Sequence, residues 1–183
     1  MEVPRGTREN SEEIKMNTLQ EVMNEYKKQL EKGSIQKAYR GLMEYMLGLR
    51  THFQKDHPDH SMPGNLYYGY MDMTYFSIFP RTLKERDLKI AIVFLHKEFR
   101  FEVWLSGKNR RVMTKTWKLF SDGGWEKCKI VSPGKGVDSI LEHIAVPDPD
   151  FDDPDRLTAK IEEAADEFIR DIESFLTSQK DIP

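Results

Sequence analysis

The stretch from Leu88 to Phe120, LKIAIVFLHKEFRFEVWLSGKNRRVMTKTWKLF, constrains the fold more than any other part of the chain. Lys89 to Leu95 is almost wholly apolar, with Ile90, Ile92 and Val93 among its residues. A short, β-branched run of this kind predicts a strand buried on both faces, central in its sheet. Phe99 to Leu105 alternates instead. Phe99, Phe101, Val103 and Leu105 point one way, and Arg100, Glu102 and Trp104 the other. That pattern predicts a strand with one core face and one partly polar face. Only His96, Lys97 and Glu98 separate the two runs, so an antiparallel hairpin is the economical connection.

The hydrophobic period then changes. Ser106 and Gly107 break the strand, and Met113, Trp117 and Phe120 recur at helical spacing, widened by Val112 and Leu119. Lys108, Arg111, Lys115 and Lys118 line a neighbouring face, and no acidic residue interrupts Ser106 to Phe120. Gly123-Gly124 ends the helix in the manner of a left-handed terminator. The basic face suits phosphates of a nucleic acid or a small anionic ligand. Its competitor is a solvated face paired with acids elsewhere, the commoner fate of a charge run. The chain supplies such acids. Arg81 to Lys118 holds eleven Lys/Arg against four Asp/Glu, whereas Asp148 to Glu173 holds three against eleven.

Asn65 to Pro80, NLYYGYMDMTYFSIFP, reads as one aromatic-dense strand, broken near Asp72, with Gly69 allowing a bulge. Alternation sets Asp72 among aromatic and β-branched neighbours, where burial raises a carboxyl pKa unless a partner offsets it. Asp72 is then either an anchor or acid–base group lined by tyrosines, or a carboxylate that caps a bend or pairs with an arginine. Thr51 to Gly64 reads as a polar loop holding His52, His57 and His60 with Asp56 and Asp59, and His52 still falls on the preceding helix. Histidine and carboxylate at short spacing can bind a divalent metal, but the spacing matches no established motif, so no metal site is assigned. Ser132-Pro-Gly-Lys-Gly136 lacks the spacing of a phosphate-binding loop, and nothing calls for a cofactor.

Around this middle, Met1 to Asn10 reads as a loose tail and residues 11–183 as one domain. Ser11 is placed to cap a helix running to about Lys32, with a stripe of Leu19, Val22, Met23, Tyr26 and Leu30, and Gly33 stops it. A second helix from Ser34 carries Ala38, Tyr39, Leu42, Tyr45, Met46, Leu49 and Phe53; both stripes are expected in the core. Lys127 to Val131 reads as a strand; Asp138 to Val146 fits a helix or a strand in which Ile140, Glu142, Ile144 and Val146 alternate, and the strand is the preferred reading. Asp153-Pro154 starts a long helix through Leu157, Ile161, Ala164, Phe168, Ile172 and Phe175 to about Leu176. The order α-α-β-β-β-α-β-β-α predicts an α+β fold. Its mostly antiparallel sheet of about five strands carries an N-terminal helical pair, a middle helix and a long C-terminal helix.

The lone Cys128 can form no internal disulfide, which favours a reducing compartment. Its neighbours Lys127 and Lys129 would lower the thiol pKa if they approached it; the simpler expectation is a small buried residue in a short strand. The N-terminus shows no secretory pattern and no apolar run reaches membrane-spanning length, so a cytoplasmic protein is expected.

The segments LRTHF, GYMDMTYF, LKIAIVF and FEVWL, with the tryptophan of TKTWKLF, resemble a family of small bacterial and archaeal proteins of unknown function over most of the chain. The resemblance implies no activity, cofactor or catalytic residue. The strand and helix order is also similar to restriction-endonuclease-like folds, at the level of fold alone. Such a centre needs a carboxylate and then (D/E)xK on adjacent strands to hold metal. Glu102 is followed by Val103 and Trp104, so that triad is not visible.

Three functional readings follow. The first is a non-catalytic binding module for an anionic ligand, nucleic acid or protein. Tyr70, Asp72, Tyr75, Glu102 and Trp104 would line its site, with Arg110 and Arg111 at the rim and Lys108, Arg111, Lys115 and Lys118 as the basic stripe. The second is an enzyme on phosphate-containing substrates using the Asp72 and Glu102 carboxylates. The third is an interaction protein whose apolar helix face forms a homodimer.

Overall fold

A computed structural model describes residues 18–179. The chain divides into two compact units, one ending at Leu42 and the other starting at Met43. In the first, α1 (Leu19–Glu31) opens on a capping box. The Thr18 hydroxyl accepts from the Glu21 N–H, and the Glu21 carboxylate accepts from the Thr18 N–H at 2.7 Å. The expected cap, Ser11, lies outside the described residues. No α1 residue is buried, and Leu19 is 76% exposed, so the expected core stripe is not core. Helical spacing reports an amphipathic face; it does not report what covers that face. After Gly33 the chain enters α2 (Ser34–Asp56), of which Met46, Leu49 and Phe53 are buried while Ala38 is exposed.

The second unit holds an antiparallel sheet in the order β1-β2-β3-β5-β4. The strands are β1 (Met73–Ile78), β2 (Leu88–Leu95), β3 (Arg100–Gly107), β4 (Lys129–Ile130) and β5 (Leu141–Val146). They are joined by a short α3 (Arg81–Lys84), by α4 (Arg110–Asp122) between β3 and β4, and followed by α5 (Pro154–Ser178). The α+β architecture predicted from element order is therefore the one observed. Asp153 caps α5 through a bond accepted from the Arg156 N–H, with Pro154 next, as its sequence dictates. The buried face of α5 includes Ala165 in place of the expected Ala164.

One sheet face carries Phe76, Ile78, Ile90, Ile92, Phe94, Phe101, Val103 and Leu105, all essentially inaccessible to solvent. Phe53 of α2 meets Phe76 edge-on at 5.9 Å, and Tyr45 meets Phe101 at 5.9 Å. The opposite face departs from expectation. The register aligns Tyr75, Val93 and Glu102 across β1, β2 and β3. Ala91, Val93 and Trp104 form a second small core there, with Met73, Tyr75 and Leu95 packed on it. Glu102, expected on a partly polar face, is only 2% exposed. Its carboxylate accepts from Arg100 Nε at 2.7 Å and from the Trp104 indole N–H at 2.5 Å, and it pairs with the Arg100 guanidinium. Glu102 shares its face with the packed side chains of Val93, Trp104 and Tyr75, which leave it little water, so its carboxylate must be satisfied from within.

Two local expectations also change. Phe99 is not a strand residue: it is exposed, at φ 52°, in the turn between β2 and β3. Asn65 to Pro80 is not one strand. The chain doubles back so that Tyr67 bridges Tyr75, with Gly69 at φ 61° in the turn. A Cβ at Gly69 would lie 2.3 Å from both Asp72 Oδ1 and the Met73 carbonyl, so only glycine fits.

Candidate functional site

The residues expected to share a pocket are not brought together. Tyr70 is 95% exposed at the doubled-back turn. Asp72 is exposed beside it, where Oδ1 accepts from the Tyr70 N–H at 2.9 Å. The Met73 and then the Tyr70 backbone N–H groups hold its carboxyl below the ordinary 3.8, the opposite of the rise that burial would cause. Tyr75 lies on the second sheet face, stacked on Tyr67 at 4.9 Å with Lys89 Nζ 5.7 Å from its ring centre. Glu102 and Trp104 are interior and bonded to each other. Arg110 donates to the Val137 carbonyl at 3.0 Å, away from the basic stripe. The paired carboxylates that the enzyme reading requires are therefore not formed: one sits in an exposed turn before β1, the other inside β3.

The basic stripe has a more definite setting. A cleft of about 810 Å³ is lined by the start of β2, by α4 and by Leu176 and Gln179 at the end of α5. Leu88, Val112, Leu119 and Leu176 give it an apolar floor, and Arg86, Arg111, Lys115 and Lys118 line it with cations. Glu85, Asp87 and Asp122 also border it. Two of these acids are already engaged, Glu85 with Arg81 at 3.5 Å and Asp87 with Lys108 at 3.2 Å. Among the described residues, Arg111, Lys115 and Lys118 form no ion pair. The expected pairing with the acidic C-terminal third is made by Lys127 instead, which reaches Asp171 at 2.6 Å. The α4 N-terminus offers no free donor at Val112, because the Asn109 side chain accepts that N–H at 3.0 Å.

A second arrangement joins α2 to α5. Glu162 accepts from His52 Nε2 at 2.9 Å on one oxygen and from His57 Nε2 at 2.8 Å on the other. His52 Nδ1 lies 3.2 Å from Asp56, and His57 Nδ1 lies 3.9 Å from Asp166. Partial burial pushes the Glu162 carboxyl up, but the hydrogen bonds from His52 and His57 outweigh it and hold the group below 4.5. A folded-state value below the unfolded one stabilises the fold above pH 4.5, and this contribution disappears as pH falls through the lowered value. In metal-free buffer, urea midpoints of the wild type and Glu162→Gln are expected to converge between about pH 5 and about pH 3. A gap that stays constant across that window would show that ionised Glu162 does not supply the stability.

A domain of unknown function (DUF7000) matches residues 19–176 of this sequence. The chain belongs to the DUF7000 family. No curated protein and no solved structure matches it.

The DUF7000 chain keeps its cysteine away from the setting that would activate it. Cys128 borders a small cavity of about 260 Å³ with Trp125, His143 and Phe168. Burial pushes the thiol up, the Trp125 indole N–H donates to Sγ at 3.4 Å, and Lys127 and Lys129 are tied to Asp171 and Glu142. Glu162 is the residue that sequence reasoning missed in this DUF7000 domain. Its one sequence signal is an acidic side chain on α5 flanking the buried Ile161 and Ala165, a position open to many partners. No helix among the described residues is long and apolar enough to cross a membrane.

Proposed function

We propose that this domain is a non-catalytic binding module for a phosphate-bearing anionic ligand, which it holds in the cleft beside α4. The observation that carries the reading is the set of four cations, Arg86, Arg111, Lys115 and Lys118, over an apolar floor. Two of the three bordering acids are neutralised by Arg81 and Lys108, which leaves the cleft with an excess of positive charge. Arg111, Lys115 and Lys118 recur at i, i+4 and i+7, so one helix face presents them together over about 10 Å. The apolar floor suits a ligand that also offers a flat or apolar part, as a nucleotide base does. The separation of Asp72 from Glu102 favours binding over phosphoryl chemistry. The single cysteine, with no partner for a disulfide, supports a cytoplasmic place for this activity.

Fluorescence anisotropy with a labelled single-stranded oligonucleotide, and thermal shift with nucleoside triphosphates, test the reading at low salt. The variant Arg111→Ala/Lys115→Ala/Lys118→Ala is expected to weaken binding at least about tenfold and to reduce the salt slope by about 2. A control Lys55→Ala, on α2 and outside the cleft, should leave both unchanged. Equal binding by the triple variant and the wild type, or no binding by either, would remove the proposal.

A further inference from the structure

We propose that His52, Asp56 and Glu162 form a site for one divalent transition-metal ion of zinc-like preference, with His57 as the positioning residue for Glu162. His52 and Asp56 are four apart on α2, so both side chains leave the same helix face. Glu162 approaches from α5. One ligand atom from each of the three lies within 4.8 Å of the others. The contacts are 3.2 Å from His52 Nδ1 to Asp56 and 2.9 Å from His52 Nε2 to Glu162. In a tetrahedral zinc site with bonds of about 2.0 Å, ligand atoms sit about 3.3 Å apart. The two His52 contacts are made by opposite ring nitrogens, and an ion takes only one of them, so it fits once side-chain rotation brings the second carboxylate round and ligand atoms within 4.8 Å of one another close to about 3.3 Å.

The ligand chemistry agrees. Imidazole with carboxylates suits zinc and its neighbours among first-row dications and leaves a coordination position for water. With neutral imidazoles, Asp56, Glu162 and Asp166 place three negative charges in one corner. None of the three pairs with a lysine or arginine among the described residues; their ion pairs are with His52 and His57. A dication offsets that charge. The second oxygen of Glu162 is held by His57, the kind of outer contact that orients a ligating carboxylate.

A separate observation points to the same corner. His60 stacks on His57 at 5.2 Å and 9°, and its Nδ1 is buried without a hydrogen-bond partner among the described residues. Buried ring nitrogens in native folds are nearly always satisfied, so this one marks a polar place whose partner the described residues do not supply. Burial, and then the neighbouring His57, also hold the His60 imidazole below 6.5, in the neutral form. None of this depends on the cleft beside α4.

The rival is a purely ionic network in which His52 is an imidazolium between two carboxylates. The untagged, chelator-treated full chain separates the two. Calorimetry with zinc is expected to give one ion per chain, and cobalt is expected to give the intense visible bands of a four-coordinate site. Glu162→Gln and His52→Ala should each weaken zinc binding by about 100-fold or more, and His57→Ala by about 10- to 100-fold. Cys128→Ser/His143→Ala, which removes the other histidine- and cysteine-bearing cavity, should bind as the wild type does. Circular dichroism checks that each variant folds; for one that does not, the wild-type stoichiometry and cobalt spectrum decide. The proposal is overturned if the wild type binds neither ion, if Glu162→Gln and His52→Ala bind as tightly as the wild type, or if Cys128→Ser/His143→Ala abolishes binding.

Discussion

Replacing Phe120 with alanine is expected to lower the free energy of unfolding by about 4 kcal/mol, the cost of emptying a fully enclosed phenyl site that cannot collapse. Phe120 is wholly buried. Its ring stacks on Phe175 at 4.6 Å and 15°, and meets Trp125 edge-on at 5.0 Å. Trp125 in turn meets Phe175 at 5.4 Å. These three rings fasten α4 to α5, and the neighbouring Leu119 and Leu176 form part of the cleft floor. Loss of the ring should therefore weaken anion binding as well as stability. Urea unfolding of Phe120→Ala, with Phe120→Leu expected to lose only about 1 kcal/mol, measures the effect. A loss below about 1.5 kcal/mol for Phe120→Ala would mean that this cluster does not hold α4 in place.

Arg100→Ala is expected to cost about 3 kcal/mol, because it strands a carboxylate that the fold has already taken out of water. Glu102 is interior, and after the substitution the side-chain donor left to it among the described residues is the Trp104 indole N–H. Arg100 itself is partly exposed, with 31% of its side chain accessible, which places the expected cost at the low end for a buried pair. Removing both charges, as Arg100→Met with Glu102→Leu, should recover most of the loss, since desolvated ion pairs seldom outperform apolar packing. A double variant as unstable as Arg100→Ala would show that the damage comes from lost arginine packing, not from the orphaned charge.

The fold was legible where its signals are local. The uninterrupted apolar run in β2 could be satisfied only by a doubly covered strand, and Asp153-Pro154 had to begin α5. The spacing of Met113 and Phe120 placed one side of α4 inward, although Thr116 is buried there and Trp117 only partly so, and Gly124, at φ 74° after the helix, marks its stop. The candidate site was legible only in part. The basic face of α4 was visible, but Arg86 joins it from another element. The cap that Asp72 makes on its bend was among the expected readings, but the burial of Asp72, the partly polar face of Glu102 and the core stripe of α1 failed for a shared reason. Alternation and helical spacing say which side chains share a face, and that information contains no term for what lies against it.

By itself, then, the sequence determined the order and type of the elements, the α5 cap, the α4 terminator and the segregation of charge. Each of these depends on backbone torsions or on bonds between residues within about four positions. Only the tertiary structure decided that Glu102 is interior, that the Asp72 turn is exposed and that Lys127, not α4, reaches the acidic C-terminal helix. It alone brought Glu162 onto His52 and His57 across more than a hundred residues. Contacts at that separation are set by strand register and helix packing. Both emerge from burying the whole apolar surface at once, and no local stretch of the chain encodes them.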